Sequence, residues 1–263
     1  KDLEILWCFS SAERGLVWCL SHLVRLTQAP YGRYLDLGLS SSYSSMPRMV
    51  PARLAWFLQE LPSLLVPLMM MTTTANHTES SLGTSLLLGT FCLHYFQRYC
   101  TASPVLTFVY SVLMRGRPFP LHVMIEAGVF CSLNGFTQSH YLLSTIDSNK
   151  NQVFILPGST LFLLGMAINV HSDYLLRNLR QPGEVIYKIP KGGLFQYVSG
   201  ANYFGEIVEW LGYAIATWSL TTFSFAFCSL CFIGRRAFHH HRYYHEKFHN
   251  YPRSRKALIP FIF

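Results

Sequence analysis

Seven long apolar segments constrain the fold of this chain more than any other feature of its sequence. They lie at roughly 3–26, 53–71, 81–100, 120–143, 153–176, 200–219 and 220–238. The length of each is close to the ~20 residues with which an α-helix crosses a bilayer. Lipid offers no hydrogen-bond partner to backbone amides and carbonyls, so such segments satisfy these groups internally by forming helices. Charged residues make up only 13% of the chain, about half of the ~25% usual in soluble domains. The sequence therefore predicts an all-α polytopic membrane protein, a seven-transmembrane-helix bundle that forms a single integral membrane domain over residues 1–263.

Basic residues are concentrated in alternate connecting segments. They follow the first, third, fifth and seventh apolar segments, whereas the loops 72–80 and 144–152 contain a single basic residue, Lys150. Because Lys and Arg in short loops mark the cytosolic side, we expect the N-terminus outside or in the lumen and the C-terminus in the cytosol. The sequon at Asn76 then falls on the lumenal side. The same placement argues against nucleic-acid binding, although the net charge is +8.

Ionisable side chains inside apolar segments are costly and are functional candidates. Glu60 lies beside Gln59 and just before Pro62, with apolar residues on both sides. Desolvation there favours the protonated acid, which could donate a hydrogen bond; a structural polar contact between helices is the alternative. Tyr95 precedes Arg98 by three residues, so the two share a helix face. The Tyr95 hydroxyl could polarise a carbonyl, or the ring could belong to the membrane interface.

The fifth and sixth apolar segments each carry polar residues at helical spacing. In the fifth these are Asn169, Asp173, Arg177 and Arg180, and in the sixth they are Asn202, Glu206 and Glu209. Arginines suit phosphate groups, and the amide and carboxylate side chains suit an amide or a hydroxyl. A salt-bridged helix end is the alternative for the fifth segment. The carboxylates of the sixth need partners, which the C-terminal Arg and His residues could supply.

The C-terminal block, Gly234 to Phe263, is basic, aromatic and rich in histidine. Seven of the chain's 21 Lys and Arg lie between Arg235 and Lys256. The consecutive histidines 239–241 would point in different directions on a helix, which favours contact with an anion over a metal site, and we expect no metal. Cys228 and Cys231 form a CxxC inside an apolar segment and are predicted to be packing residues.

Several long motifs resemble the steroid 5-alpha-reductase family. They are WFLQELPS from Trp56, LHYF from Leu93, INVHSDYLLRNLRQPGE from Ile168, IPKGGLF from Ile189, YVSGANYFGEIVEW from Tyr197 and YPRSRKALIPFIF from Tyr251. The resemblance runs from about Val50 to Phe263. It implies an NADPH-dependent enzyme that reduces the Δ4 double bond of 3-oxo-Δ4 steroids, such as testosterone or progesterone, to 5α products. It also implies that residues 1–119 mainly line the steroid pocket and that residues 120–263 mainly bind NADPH.

By matching motif, the resemblance implies roles for individual residues. Glu60 and Tyr95 would be catalytic and would bind the steroid 3-keto oxygen, and Trp56 and Gln59 would line the same pocket. The residues that would contact NADPH are Arg117, Asn169, Asp173, Arg177, Arg180, Tyr187, Lys188, Asn202, Glu206, Arg236, His240, Tyr244 and Arg255.

Other functions stay open at this stage. Related membrane reductases act on polyprenols or enoyl-CoA with the same cofactor. A membrane methyltransferase would use a sulfonium cofactor without phosphates, and a non-catalytic scaffold would have no reason to place ionisable residues in its spans. Met114, Glu126 and Lys188 depart from the pattern of the steroid enzymes, which bears on NADPH affinity. We expect a monomer in the endoplasmic reticulum if the source is eukaryotic, or in the cytoplasmic membrane if it is bacterial.

Overall fold

A computed structural model of the protein describes residues 48–75, 82–100, 118–144, 152–179 and 188–263. The described chain is mostly helical. It divides into two compact units, residues 1–152 and 153–263.

In its described residues, the first unit contains three long helices and one short strand pair. The helices are α1 (Ala52–Ala75), α2 (Leu82–Cys100) and α3 (Leu121–Ser144). The strands β1 (Met49–Val50) and β2 (Phe119–Pro120) pair antiparallel immediately before α1 and α3. This pairing brings the first residues of α1 and α3 together, so the two helices start from the same end of the unit.

Small residues let α1 and α3 approach closely. A Cβ built on Gly135 would lie 3.3 Å from the Pro62 carbonyl oxygen and 3.4 Å from Ser63 Cα. The Ser63 hydroxyl donates to the Cys131 carbonyl at 3.2 Å. Pro62 lies inside α1, where it removes one backbone donor. The middle of α1, which carries the residues of the first predicted site, is therefore held against α3.

The described part of the second unit contains three long helices followed by an irregular tail. Its helices are α4 (Gln152–Asn178), α5 (Ala201–Thr217) and α6 (Leu220–Lys247), with a short 3₁₀ turn at Gly193–Gln196 before α5. Trp218, at φ 45°, ends α5 in the left-handed conformation, and the Ser219 side chain caps α6 by accepting from the Thr222 amide at 3.1 Å. The turn between α5 and α6 is thus two residues long, close to its predicted position.

The backbones of α4 and α5 touch along an antiparallel crossing. A Cβ on Gly165 would lie 2.3 Å from the Glu209 nitrogen, and one on Gly205 would lie 2.5 Å from the Asn169 nitrogen. No side chain larger than hydrogen fits at either glycine without moving backbone. The crossing therefore fixes the polar residues of α4 against those of α5.

The C-terminal tail returns to the segment that precedes α5. Val198 and Lys256 form a parallel bridge, in which the Lys256 amide donates to the Tyr197 carbonyl at 2.8 Å and the Ser199 amide donates to the Lys256 carbonyl at 2.9 Å. Leu258 is buried against α5 and α6. The motif from Tyr251, which local propensity does not explain, is therefore a non-local packing element.

Six of the seven predicted segments are confirmed as helices, with ends close to those predicted. The exception in length is α6, which continues past the predicted end at 238 to Lys247. Within the described ranges, two helical stretches are long and apolar enough to cross a membrane, Leu54–Thr73 and Gln152–Asn178. The predictions that lie outside the described residues concern the first apolar segment, Asn76, Met114, Arg117, Arg180 and Tyr187.

Candidate functional site

In the first unit, Glu60 of α1 forms a two-point ion pair with Arg98 of α2. The Arg98 Nε donates to Glu60 Oε2 and Arg98 Nη2 donates to Glu60 Oε1, both at 3.0 Å. The two side chains are only 13% and 12% exposed. The sequence predicted Glu60 as a hydrogen-bond donor. In the contact with Arg98, Glu60 accepts two hydrogen bonds, because a guanidinium offers only donors. This contact has the form of the predicted alternative, a polar contact between helices.

Tyr95 lies beside this pair, as the predicted site requires. Its side chain is buried and is in hydrogen-bonding contact with the hydroxyl of Ser63. Both the Glu60 carboxyl and the Arg98 guanidinium are close enough to act electrostatically on the phenol. Phe91 packs against the Tyr95 ring with centroids 5.1 Å apart. We call Glu60, Ser63, Tyr95 and Arg98 the carboxyl–phenol cluster, in which the structure brings Glu60 and Tyr95 together.

Two buried amide side chains of the first unit have atoms without a hydrogen-bond partner among the described residues. Gln59 is buried, and its Oε1 atom has no hydrogen-bond partner among the described residues. Asn134 of α3 accepts from Gln138 Nε2 at 3.3 Å, but its own Nδ2 has no described partner. Buried polar groups normally find one, so both atoms are available to a polar ligand or a water. Trp56, also predicted in this pocket, is half-buried with its edge on Phe119.

In the second unit, the polar stripe of α4 faces the start of α5. Asn169 and Asp173 are buried, and Asn169 Nδ2 donates to the Asn202 carbonyl at 3.1 Å. The Arg177 Nε donates to the backbone carbonyl of Asp173 at 3.3 Å. Glu206 is half-buried on the same helix as Asn202. The structure therefore brings these five predicted cofactor residues to one end of the α4–α5 crossing.

The C-terminal residues of the predicted site lie at the same end of this unit. His240 contacts the edge of Tyr203 with ring centroids 5.5 Å apart, and Tyr244 is buried with its ring stacked on Tyr251 at 5.3 Å. Arg236, on the same helix, is half-buried, and so is Lys188 before the 3₁₀ turn.

Arg255 is a buried cation in the tail. Its side chain is 6% exposed, and its Nη1 donates to the Pro190 carbonyl at 2.9 Å. The guanidinium lies 5.4 Å from the centre of the Tyr251 ring. Its Nε has no partner among the described residues. A buried charge normally needs an opposite charge or several hydrogen bonds, so an anion fits the chemistry of this position.

Comparison with known proteins identifies the family. A sequence profile for 3-oxo-5-alpha-steroid 4-dehydrogenase matches residues 117–263. The chain is 55% identical over 236 residues to 3-oxo-5-alpha-steroid 4-dehydrogenase 2 of Homo sapiens, and the aligned region covers 89% of this chain and 87% of that protein. The chain belongs to the 3-oxo-5-alpha-steroid 4-dehydrogenase family. It is also 53% identical over 238 residues to 3-oxo-5-alpha-steroid 4-dehydrogenase 2 of Sus scrofa, with 89% of this chain and 87% of that protein aligned. It is 45% identical over 246 residues to 3-oxo-5-alpha-steroid 4-dehydrogenase 1 of Bos taurus, with 91% of this chain and 90% of that protein aligned.

The sequence of this family member does not reveal Arg98 as the partner of Glu60. The spacing predicts Arg98 only on the helix face of Tyr95 and predicts no role for Ser63. A usable signal existed, because Glu60 and Arg98 lie at similar distances before and after the loop that joins α1 to α2. In an antiparallel helix pair such positions are neighbours.

The sequence also missed a buried polar chain in the C-terminal region of this family member. The Ser199 hydroxyl lies 2.6 Å from His241 Nδ1 and 2.7 Å from the Tyr251 hydroxyl. Burial, followed by the nearby His245 and Lys256, lowers the pKa of His241 from 6.5 to about 4. At neutral pH this histidine is therefore uncharged and links α6, the tail and the segment before α5.

Proposed function

We propose that this protein reduces the Δ4 double bond of 3-oxo-Δ4 steroids to 5α-reduced products with NADPH, as a multi-pass membrane enzyme. The observation that carries the proposal is the carboxyl–phenol cluster. A buried phenol, a carboxyl and a guanidinium meet among apolar helices at the positions that the family motifs mark. Its relatives are named for a 3-oxo-5-alpha-steroid substrate, whose ketone such a cluster can polarise.

Tyr95 is the donor that the geometry favours for the steroid 3-keto oxygen. A neutral phenol can donate a hydrogen bond without a change in its charge. Negative charge that grows on this oxygen during reduction of the enone is stabilised by a donor already oriented in a site with little water. Glu60 can donate to the same oxygen only as a protonated carboxylic acid. Protonation would remove the negative charge that Glu60 offers to Arg98 and would cost at least one of its two hydrogen bonds from the guanidinium. Gln59 and Trp56 would line this pocket.

The second unit offers residues that fit a dinucleotide phosphate cofactor. Support comes from the unsatisfied Nε of the buried Arg255 and from the polar end of the α4–α5 crossing. Arginine suits phosphate oxygens, while Asn169, Asp173 and Glu206 suit amide and hydroxyl groups. When bound, NADPH would supply the hydride that adds to the enone β-carbon on the α face. A proton added at the α-carbon completes the reduction.

Turnover in detergent tests the proposal. Purified protein should oxidise NADPH when given a 3-oxo-Δ4 steroid, and chromatography should identify a 5α-reduced product. A polyprenol and an enoyl-CoA serve as competing substrate classes. Faster turnover of either one, with no steroid product, would replace the steroid assignment by that reductase class.

The Tyr95→Phe variant tests the role of the phenol within the same reaction. Loss of one oriented donor to a developing oxyanion typically lowers kcat about 10²- to 10³-fold. We expect a loss in this range with the fold intact, because Tyr95→Phe keeps the ring that packs on Phe91. An unchanged kcat would remove Tyr95 from the mechanism.

A further inference from the structure

The last six residues of the tail form a closed turn that presents apolar side chains outward. The amides of Leu258 and Ile259 both donate to the Phe263 carbonyl at 2.6 Å, and the Phe263 amide donates to the Ile259 carbonyl at 3.0 Å. Phe261 has φ 67°, in the left-handed region that aromatic residues rarely adopt. Phe261 and Ile262 are 75% and 76% exposed. Their exposure is therefore set by a hydrogen-bonded backbone.

These side chains are part of a larger aromatic surface. Tyr197 packs against Phe261 with ring centroids 5.2 Å apart, and Phe238 stacks on Phe263 at 6.3 Å. All five residues, counting Ile262, are exposed, and we call them the aromatic patch. Phe238 is the residue at which the apolar segment of α6 was predicted to end. The patch therefore lies at the level where α6 would leave the bilayer, the depth at which Tyr is enriched and at which the Phe side chains of interfacial segments are buried.

Basic residues flank the aromatic patch. The exposed Lys256 is joined to Tyr197 through its backbone amide. Arg235 and Arg242 lie three residues before and four residues after Phe238, which places them on the same face of α6. Arg242 pairs with Glu246 at 2.7 Å, so Lys256 is the clearer contribution to positive charge. Exposed aromatics beside cations at this depth match an anionic phospholipid surface.

We infer that the aromatic patch and Lys256 dock on the anionic cytosolic surface of the membrane, with Phe261 and Ile262 entering the headgroup region. The inference concerns a lipid contact of the tail and rests on the membrane location within the proposed function. A second copy of the chain or another protein could bury the same aromatics, but neither requires the adjoining cation. The bilayer explains the ring positions and the charge together.

Photo-crosslinking of the full chain in proteoliposomes tests the inference. p-Benzoylphenylalanine replaces Phe261, which preserves an aromatic ring at that position. The same group at Leu156, an exposed apolar residue of α4, reports insertion of the helices, and the same group at the exposed Glu246 is the control outside the patch. Vesicles of phosphatidylcholine are compared with vesicles that also contain phosphatidylserine, and mass spectrometry identifies the adducts.

Phospholipid adducts at 261 and 156, with none at 246, would support the inference. Enrichment of phosphatidylserine at 261 should fall roughly fivefold in Lys256→Gln, the effect of one basic residue at an anionic surface. Adducts at 156 without adducts at 261, or a protein adduct at 261, would overturn the inference alone. Adducts at neither position would contradict the membrane location itself, and with it the inference.

Discussion

The ion pair between Glu60 and Arg98 gives the sharpest prediction about the first unit. Removal of one partner from a buried pair strands the other charge and costs about 3–5 kcal/mol. Both side chains are about one-eighth exposed, so we expect the lower end, about 3 kcal/mol, for Arg98→Met. For a protein of this size each kcal/mol shifts the melting temperature by about 2–4 °C. The expected loss is therefore roughly 6–12 °C.

A double-mutant cycle in detergent separates coupling from side-chain loss. Glu60→Gln should also destabilise the protein, because it leaves the Arg98 cation with a neutral partner. The double variant should be more stable than the sum of the single effects predicts, since neither charge is then stranded. A coupling energy of about 2 kcal/mol is expected. Simple additivity of the two melting-temperature shifts would show that the pair contributes nothing to the folded state.

The chain contains a matched control for this cycle. Arg242 and Glu246 form an ion pair of the same residue types at 2.7 Å, but their side chains are 61% and 60% exposed. Exposed helix pairs contribute about 0.3–0.5 kcal/mol, so Arg242→Met should shift the melting temperature by less than about 2 °C. If Arg98→Met and Arg242→Met had equal effects, the reasoning from burial would be refuted.

Three other predictions concern the second unit, with one control from the first. Gly205→Ala should cost about 1–3 kcal/mol or more from overpacking and lower the melting temperature, whereas Gly89→Ala, with open space around it, should be neutral or stabilising. Because the pKa of His241 is lowered to about 4, the unfolded chain takes up this proton first as the pH falls. The free energy of unfolding should therefore drop between pH 6.5 and 4, by about 1–2 kcal/mol after solvent screening, and denaturant titrations should show a flatter profile in His241→Gln. Arg255→Met should raise the KM for NADPH about tenfold or more, as expected for a lost hydrogen bond to a charged group, while steady-state kinetics show the steroid KM unchanged.

Helix positions were predictable because apolar runs in this sequence end at prolines, charges and short polar loops. The predicted segment 120–143 and the observed Leu121–Ser144 agree within one residue at each end. The end of α6 was not predictable from the same signal. Loss of hydropathy after 238 marks where apolar surroundings should end, but His, Arg and Tyr remain compatible with helix, so α6 continues to Lys247.

The candidate site was predictable where a single segment carries the signal. Glu60 and Tyr95 stand out as polar residues within apolar runs, and Asn169 and Asp173 stand out by spacing. Contacts between segments were not predictable from spacing alone. The pairing of Lys256 with the segment before α5 depends on a chain reversal that no local pattern marks.

The Glu60–Arg98 pair also constrains how a ketone can be polarised. A steroid ketone is neutral, so a site that stays neutral before and after binding avoids the cost of an isolated buried charge. With Glu60 ionised and paired, the cluster is neutral, and Tyr95 rather than Glu60 would donate to the ketone. With Glu60 protonated, a second donor is gained, but Arg98 becomes a buried cation without its carboxylate.

Glu60→Gln distinguishes the two states, because the glutamine amide can donate to the ketone but cannot neutralise Arg98. If the ion pair is the working state, Glu60→Gln should lower kcat mainly through Arg98, and adding Arg98→Met should restore stability and part of kcat. If the protonated acid is the working state, Glu60→Gln alone should retain most of kcat, and Arg98→Met should add a separate defect.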